Sequence, residues 1–336
     1  MRVIYIGQCE RGSTSRMRFE KIQLFFECEV ELVNLSPIIL NTPKIFRSLG
    51  WRYKVGPMIS RINSVITKKI KNSTYDIVWV DKGVFIKPEI IQQLRSKTKK
   101  LIHLTPDPAF LYHKSRFFNK SVKFYDYCIT TKSFEIDLYN KSGAQHCIYL
   151  TQGFDKEIHR PLMEFDEKKY EVCFIGHYEK ERAELIQLLL DNDIEVVIAG
   201  IKWEGFVKKN THNKLKYFGP HLAGEDYARL INESRIGLGL LSKWIPEKHT
   251  TRTFEIPACK TCLVTESNNE IRDFFLDTEC IEFSDSEDCL RKVQLYLATP
   301  DKIKELSELG FNRVIMDRRD YESQMFDLCN RLFSVS

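Results

Sequence analysis

The α/β character of this chain is clearest in a short segment of its second half, which reads Val172-Cys173-Phe174-Ile175-Gly176-His177-Tyr178-Glu179-Lys180-Glu181-Arg182. The segment begins as an apolar strand, turns at a glycine and continues into a helix, which makes a βα unit. Backbone N–H groups at such a helix start attract phosphate oxygens, and Lys180 or Arg182 would add positive charge. The same residues also suit an ordinary βα turn with surface charges, and His177 could either donate to a phosphate or pack locally.

The same alternation of apolar strands and helices runs through the whole chain. Apolar runs predict strands at Val3–Ile6, Val30–Leu35, Ile77–Val80, Leu101–Leu104, Tyr127–Thr130, Cys147–Leu150, Val172–Ile175, Val196–Ala199, Leu215–Phe218, Ile236–Leu241, Cys262–Thr265 and Cys280–Phe283. Near-continuous apolar runs are typical of parallel strands that are buried on both faces. We therefore predict an α/β protein with two doubly wound, Rossmann-like domains.

The length of the chain also favours two domains, because 336 residues are many for one hydrophobic core. The boundary is predicted within 151–170, which contains a glycine, a proline and a charged run. We expect an N-terminal domain at 1–155, a C-terminal domain at 156–310, and a final helix at 311–336 that could pack back on the N-terminal domain. Ligands of open α/β sheets bind outside the carboxyl ends of the strands, so the two domains should face a ligand cleft.

Composition indicates an ordinary globular protein, with 43% hydrophobic and 29% charged residues. No apolar run is long enough to cross a membrane and the first residues lack a signal-peptide pattern, so a cytoplasmic location is expected. The ten cysteines lie mostly in apolar patterns, which favours reduced thiols. Cys259 and Cys262 form a C-x2-C pair that would need two more ligands to hold zinc. Two small residues at a helix–strand junction explain that pair more simply.

One stretch of the chain is strongly basic, although the net charge of +5 is mild. Residues 44–71 hold eight basic side chains and no acidic one, and apolar residues recur within them at helical spacing. This pattern suits an amphipathic helix on an anionic membrane surface, and equally a core-packed helix with a basic solvent face. A nucleic-acid partner is not expected, because no DNA- or RNA-binding motif is present and the chain is not basic overall.

The strand ends of the first half carry candidate substrate residues. The loop from Gly7 to Gly12 has the glycine spacing of a P-loop but lacks its lysine, so we expect a turn that admits a substrate. Arg16 could face the cleft as a substrate contact, or be a solvated charge at the start of a helix. His103 ends another strand and could act as a general base toward an acceptor hydroxyl, or be a hydrogen-bonded histidine within the strand. Asp107 stands between two prolines as either a turn residue or a cleft residue.

The second half carries the stronger candidates. Arg252 and Glu255 lie three residues apart just after an apolar strand and a loop. An arginine suits the phosphates of a nucleotide-diphosphate sugar, and a glutamate accepts two hydrogen bonds from a ribose diol. Thr253 lies between them and is counted as a further substrate contact. In the preceding loop, Lys243 could neutralise the diphosphate, and Glu247 could hold a sugar hydroxyl at an E-x7-E spacing from Glu255.

Several segments together resemble the CgeB-like (spore-maturation-type) glycosyltransferases, which are related to the group-1 transferases. The resemblance covers about 151–314 and rests on the segments Gly153-Phe154-Asp155, His159-Arg160-Pro161, Val172 to Arg182, Tyr217-Phe218-Gly219, Glu225 to Gly239, Arg252 to Cys259 and Leu263-Val264-Thr265-Glu266. It implies a GT-B fold whose C-terminal domain binds the donor. Glu255 would match the family's ribose-binding glutamate, and Arg252 its arginine near the diphosphate. Lys260 and Thr261 depart from the pair of glycines that the family often has there.

The combined reading predicts a metal-independent glycosyltransferase of the hexosyltransferase type that needs no cofactor. It would move a sugar from a nucleotide-diphosphate sugar to a glycan, lipid-linked or protein acceptor in surface polysaccharide or glycoconjugate synthesis. Glu247, His103 and Asp107 are the candidate catalytic residues. The alternatives are a sugar-nucleotide 2-epimerase, a non-catalytic protein that binds sugar nucleotides or glycans, and a membrane-surface scaffold.

Overall fold

The computed structural model of this chain describes residues 1–26, 28–111 and 114–333. The chain folds as two compact units. Unit 1 consists of Met1–Thr151 together with Met325–Ser336, and unit 2 consists of Gln152–Gln324.

Unit 1 is built on a six-stranded sheet in which every neighbouring pair of strands is parallel. Its strands are β1 (Val3–Gly7), β2 (Val30–Asn34), β3 (Tyr75–Asp81), β4 (Thr98–Thr105), β5 (Tyr127–Thr130) and β6 (Cys147–Tyr149). They lie in the order β2-β1-β3-β4-β5-β6, so the direction of winding reverses between β1 and β3. That reversal makes the sheet doubly wound, as the strand pattern predicts.

The helices of unit 1 cover its sheet with apolar side chains. They are α1 (Thr14–Phe26), α2 (Ser36–Leu40), α3 (Lys44–Tyr53), α4 (Pro57–Ile70), α5 (Pro88–Ser96), α6 (Arg116–Ser121) and α7 (Ile136–Lys141). Helix α4 contributes Met58, Ile62 and Ile66 to a core that also contains Val78 and Val80 of β3. The residues of α4 at helical spacing thus serve mainly as a core face.

Unit 2 has a second six-stranded parallel sheet. Its strands are β7 (Tyr170–Ile175), β8 (Val196–Ala199), β9 (Leu215–Tyr217), β10 (Ser234–Leu238), β11 (Cys262–Glu266) and β12 (Ile281–Phe283). Their order, β9-β8-β7-β10-β11-β12, is the Rossmann order and reverses between β7 and β10. Every strand predicted from the apolar runs is therefore confirmed, and so is the α/β class.

Eight helices are assigned to the described part of the chain from residue 180 onward. They are α8 (Lys180–Asp191), α9 (Glu204–Lys209), α10 (Gly224–Asn232), α11 (Arg252–Ala258), α12 (Asn269–Phe274), α13 (Ser286–Leu297), α14 (Pro300–Met316) and α15 (Tyr321–Phe333). In the described residues, no helix combines the length and apolar content that crossing a bilayer would require.

The last helix belongs mostly to unit 1, although it lies at the far end of the chain. Met325, Leu328 and Leu332 are buried in a core cluster with Val3 and Tyr5 of β1. The predicted final segment, 311–336, begins inside α14, and its residues 334–336 lie outside the described residues. The end of the chain therefore completes the hydrophobic core that its first strand begins.

Candidate functional site

The sheet of unit 2 places its loops around one point, the reversal between β7 and β10. In doubly wound sheets a crevice opens outside the carboxyl ends of the strands at such a reversal. Two loops meet there, since 176–179 follows β7 and 239–251 follows β10. Helices α8 and α11 begin at the ends of these loops, at Lys180 and Arg252.

Arg252 ties the two strand ends together. Its Nη1 donates to the carbonyl of Ile175, 3.2 Å away, and its Nη2 donates to the carbonyl of Leu240, 3.1 Å away. A Cβ atom at Gly176 would lie 3.3 Å from Nη1 and 2.8 Å from the ring of Phe174. The glycine that directly follows β7 therefore leaves the room in which the guanidinium lies.

Arg182, from the first turn of α8, approaches the same point. It donates to the carbonyls of His177, at 3.0 Å, and Leu240, at 3.4 Å, and forms a buried ion pair of 3.0 Å with Glu179. Burial, followed by the positive charge of Arg252, lowers the pKa of Arg182 to about 10. The group stays protonated at neutral pH, and the shift mainly reflects the burial of its charge, with a smaller contribution from the neighbouring guanidinium of Arg252.

The two guanidinium groups share one aromatic ring. The central carbon of Arg182 and that of Arg252 each lie 5.6 Å from the centroid of Phe174, within cation–π distance. The Nε atoms of both arginines are buried and have no hydrogen-bond partner among the described residues. Partial burial and the charges of Arg182, Arg252 and Lys202 lower the pKa of His177. Such a cluster favours an anionic ligand with several oxygens.

Three carboxylates accept hydrogen bonds from the backbone of the loop after β10. Glu266 accepts from the backbone N–H of Leu241 at 3.0 Å, and Glu179 accepts from that of Lys243 at 3.0 Å. The ammonium group of Lys243 pairs with Glu266 at 3.2 Å, with its side chain half exposed. Glu247 accepts from the backbone N–H of Ser242 at 3.3 Å. These bonds connect the loop to the end of β11 and to the loop after β7.

Glu255 lies one turn after Arg252 on α11, with 6% of its surface exposed. Tyr227 donates its hydroxyl to Oε2 of Glu255 at 2.6 Å, and burial together with this carboxylate raises the pKa of Tyr227. His159 accepts the backbone N–H of Asp155 at Nδ1, so a neutral ring carries its hydrogen on Nε2, which faces Oε1 of Glu255 at 3.7 Å. A carboxylate has about four acceptor positions, so Tyr227 leaves Glu255 capacity for further donors.

Three nearby residues, Thr253 on α11 and Lys260 and Thr261 just after it, have structural roles. The hydroxyl of Thr253 is buried and accepts from the backbone N–H of Thr250 at 3.1 Å, near the start of α11. After the helix, Lys260 adopts a left-handed conformation with φ of 49°. Thr261 donates to the carbonyl of Ile231 at 2.8 Å. Lys260 and Thr261 thus form the turn at which the resembled family often has two glycines. Lys260 is strained there, because a left-handed conformation favours glycine.

In unit 1, the candidate loop lies at the other sheet reversal, after β1. Gly7 packs closely, since a Cβ there would lie 2.9 Å from the ring of Tyr5 and 3.0 Å from Cβ of Asp81. Gly12 is exposed, with φ of 78°. Arg16 points along α1, where its Nε lies 2.6 Å from a carboxylate oxygen of Glu20.

His103 is completely buried in an aromatic cluster. Its ring lies 4.5 Å from that of Phe118 and 5.2 Å from that of Tyr125, measured between centroids, and its Nε2 lies 3.2 Å from the hydroxyl of Tyr139. Burial lowers the pKa of His103 to about 3. The side chain is therefore a neutral core residue, enclosed by aromatic side chains rather than exposed at the strand end.

Asp107 is partly exposed and forms an ion pair of 2.7 Å with Lys82. Lys82 follows the last residue of β3 in a left-handed conformation, so two neighbouring strand ends contribute to this pair. The pair leaves Asp107 close to solvent at the edge where substrates of such sheets bind.

The described residues contain no group of three or more His, Cys, Asp or Glu side chains placed to hold a metal ion. Cys259 and Cys262 are both buried free thiols, and burial raises the pKa of each. These thiols behave as small apolar core residues.

The structure thus gathers Gly176, His177, Arg182 and Arg252 around the reversal in the sheet of unit 2. Sequence reasoning missed the residues that surround them: the ring of Phe174, the carboxylates of Glu179 and Glu266, and the partners of Glu255, which are Tyr227 and His159. None of these residues stands in a distinctive local pattern, and their partners are distant in the chain, so these roles cannot be inferred from the sequence.

Comparison with known proteins shows which proteins share the fold of this chain. Residues 181–330 match the family model described as glycosyl transferase-like. No protein with a curated description matches the chain in sequence. Among solved structures, HepE of Anabaena in complex with UDP-glucose is similar, with a TM-score of 0.69 and 11% identity over 100% of both chains. Sucrose-phosphate synthase from Thermosynechococcus elongatus is similar with a TM-score of 0.69 and 12% identity, again over 100% of both chains.

A glycosyltransferase from Rickettsia africae ESF-5 is similar over 100% of both chains as well, with a TM-score of 0.68 and 12% identity. At these identities the likeness concerns the fold alone. It agrees with two parallel, doubly wound sheets, each with six strands. The chain therefore has the GT-B fold, and its residues 181–330 match a glycosyl transferase-like model.

Proposed function

We propose that this chain is a glycosyltransferase that moves a sugar, most simply a hexose, from a nucleotide-diphosphate sugar to a glycan, lipid-linked or protein acceptor. We also propose that it is a CgeB-like enzyme acting in surface polysaccharide or glycoconjugate synthesis. The match of residues 181–330 to a glycosyl transferase-like model supports the reaction class. The acceptor and the pathway rest on the family resemblance of the sequence.

One observation carries the proposal: Arg182 and Arg252 converge where the sheet of unit 2 reverses, beside the glycine that directly follows β7. When a glycosidic bond to a nucleotide breaks, negative charge grows on the leaving diphosphate. Two fixed guanidinium groups stabilise that charge without rearranging. Because these cations belong to the protein, we propose that transfer needs no metal ion.

The remaining donor contacts are assigned from position. Glu255 would accept hydrogen bonds from the ribose diol, and Glu247 would hold a hydroxyl of the transferred sugar. UDP-glucose is the first donor to try, because HepE was solved in complex with it. His177 would donate to a phosphate oxygen, and binding such an anion would raise its lowered pKa.

The acceptor is assigned to the strand ends of unit 1, near Gly7, Gly12 and Arg16. Asp107 is the candidate base there, because its carboxylate is partly exposed. We leave His103 out of this role, since it is buried in the aromatic cluster of unit 1.

The donor assignment is tested by measuring the Kd of UDP for the wild-type chain and for Arg252→Lys. Lysine keeps the charge but loses the planar fork, so the affinity should fall by about tenfold or more. Arg272→Lys is the matched control, because Arg272 lies on α12 and donates to Asn269. Melting curves without ligand show whether each variant is folded. Equal Kd values for the wild type and Arg252→Lys would place the diphosphate elsewhere.

The same titration separates the ribose from the phosphates when 2′,3′-dideoxy-UDP is used beside UDP. The wild type should prefer UDP by about tenfold, because a carboxylate accepting from a diol is a charge-assisted contact. Glu255→Gln should lose most of that preference while Arg252→Lys keeps it. If the wild type binds both ligands equally, Glu255 does not hold the ribose. If no sugar nucleotide binds, the proposed function is wrong.

A second candidate function is a non-catalytic sugar-nucleotide-binding protein on the same fold. The burial of His103 and the pairing of Asp107 with Lys82 favour it, because both candidate bases of unit 1 are engaged. Slow release of UDP from UDP-glucose, in the presence of EDTA, distinguishes the two. A metal-independent enzyme releases UDP under these conditions, whereas a binding protein leaves the donor intact.

A further inference from the structure

Helix α3 exposes an apolar surface. Ile45 is 75% exposed, Phe46 43%, Leu49 37% and Tyr53 60%. At about 100° per residue these four side chains fall within an arc of about 100° on the helix. Large apolar side chains scattered singly over a surface are ordinary, but four on one face of a ten-residue helix form a patch.

The opposite side of α3 anchors the helix to unit 1. Gly50 is the single buried residue among those of α3, all of which are described. Trp51 packs edge-on against Phe85, with ring centroids 4.7 Å apart, and Lys54, just past the helix, lies 5.3 Å from the Phe85 ring. Because this side already contacts the core, α3 cannot bury its apolar patch by rotating inward.

The neighbouring helix does not offer such a patch. Helix α4 buries Met58, Ile62, Ile66 and Ile70 in the core of unit 1. Its solvent side is basic and carries Arg61 and Lys68. The apolar residues that remain available in 44–71 are therefore mainly those of α3.

Charge decides what fits the patch. Residues 44–71 contain eight basic side chains and no acidic one. Lys44, Arg52, Arg61 and Lys68 form no ion pair with any carboxylate in the described ranges. Apolar side chains interleaved with basic ones of a single sign match an anionic bilayer, whose headgroups are negative and whose interior is apolar.

We propose that α3 docks unit 1 onto the surface of an anionic membrane. Ile45, Phe46 and Leu49 would enter the boundary between headgroups and acyl chains, while Lys44 and Arg52 contact lipid phosphates. A second copy of the chain would have to present carboxylates to this surface, and the patch itself contains none. The docking does not depend on the donor chemistry of unit 2.

Vesicle flotation tests the proposal with the whole 336-residue chain. The wild type should float with vesicles of mixed phosphatidylglycerol and phosphatidylcholine, and about tenfold less with phosphatidylcholine alone. The variant Ile45→Gln/Phe46→Gln/Leu49→Gln should lose about tenfold or more of the binding. Lys44→Gln/Arg52→Gln should lose about fivefold for each charge removed. Added salt should weaken the binding of the wild type.

The matched control makes the same kind of substitution on a different helix. Ile315→Gln/Met316→Gln removes two exposed apolar side chains from α14 and should leave vesicle binding unchanged. All substituted residues are exposed, and unchanged melting curves confirm that the variants are folded. Unchanged flotation of the triple α3 variant, or equal binding of the wild type to neutral vesicles, would overturn the proposal. So would sedimentation that shows α3-dependent dimers and no vesicle binding.

Discussion

Histidine titrates near neutral pH in water, which makes it a natural candidate base at a strand end. His103 instead lies among Phe118, Tyr125 and Tyr139, and burial lowers its pKa to about 3. The proton is therefore excluded from His103 in the folded state but accepted in the unfolded state.

This difference predicts a pH dependence of stability. The folded state binds a proton at His103 more weakly than the unfolded state, so His103 does not affect stability above its unfolded pKa of about 6.5. As the pH falls from there toward 3, protonation of the unfolded state destabilises the protein. His103→Gln, which keeps a hydrogen-bonding side chain without titrating, should flatten the curve. The two stability curves should diverge by about 1.4 kcal/mol per pH unit in that range. Urea unfolding at a series of pH values measures the free energy of unfolding of the wild type and of His103→Gln. Parallel curves for the two proteins would contradict the expectation.

Residue spacing predicts part of the candidate donor site and cannot predict the rest. An arginine and a glutamate three positions apart on a helix start lie on one face, which the sequence shows directly. The partners of Glu255 come from far away in the chain, Tyr227 on α10 and His159 in the segment before β7. Only the folded chain brings these residues to Glu255, so neither contact can be predicted from the sequence around Glu255.

At the scale of elements, the loop that follows β7 is held by the loop that follows β8. Gly176 donates its N–H to the carbonyl of Ala199 at 2.9 Å and accepts from the indole of Trp203 at 2.8 Å. Gly200 has φ of 132°, and a Cβ there would overlap the backbone of Gly176. The position of the β7 loop beside Arg252 therefore depends on a glycine in another element.

Gly200→Ala should accordingly lower the free energy of unfolding by about 2 kcal/mol, through left-handed strain and overlap with backbone. It should also weaken UDP binding, because the β7 loop must move. Gly205→Ala is the control, since a Cβ at Gly205 in α9 meets no atom within 4 Å. That change should stabilise the protein by about 0.5–1 kcal/mol. Chemical denaturation of the two variants shows whether each free energy of unfolding falls or rises as expected. An unchanged free energy of unfolding for Gly200→Ala would refute the packing argument.

The strands were predictable because buried parallel strands read as near-continuous apolar runs, as in Val196–Ala199. Helices were harder to place in their environment. The spacing of Met58, Ile62 and Ile66 fits a core face and a membrane face equally well, and only the structure shows that these residues pack in unit 1. The exposed apolar face of α3 cannot be predicted from its sequence, because five apolar or aromatic residues among ten are also typical of a helix that packs in a core.

At the scale of the whole molecule, unit 1 is assembled from both ends of the chain. Met325, Leu328, Cys329 and Leu332 lie in the core cluster that contains Val3 of β1. Strand alternation predicts two domains, but it does not reveal that α15 contributes to the first of them. Such contacts join residues separated by most of the chain, and sequence patterns are local.

Met325→Ala should therefore destabilise unit 1, at a cost of about 2–5 kcal/mol for removing a completely buried side chain. Asn330→Ala, on the exposed side of the same helix, is the control and should cost little. Hydrogen exchange locates the effect, because amides of β1 and β3 should exchange faster than those of β7 and β10. Equal acceleration in both sheets would contradict the assignment of α15 to the core of unit 1.

Arg252 donates to two main-chain carbonyls at once, and this has a thermodynamic consequence for any anion it meets. A long, flexible side chain normally loses its rotational freedom when a ligand arrives, which weakens association. Here that freedom is surrendered when the polypeptide folds, so capture of an anion should require little additional ordering of the guanidinium. Lysine, whose ammonium group lacks the planar fork, could not be immobilised across two strands in the same way.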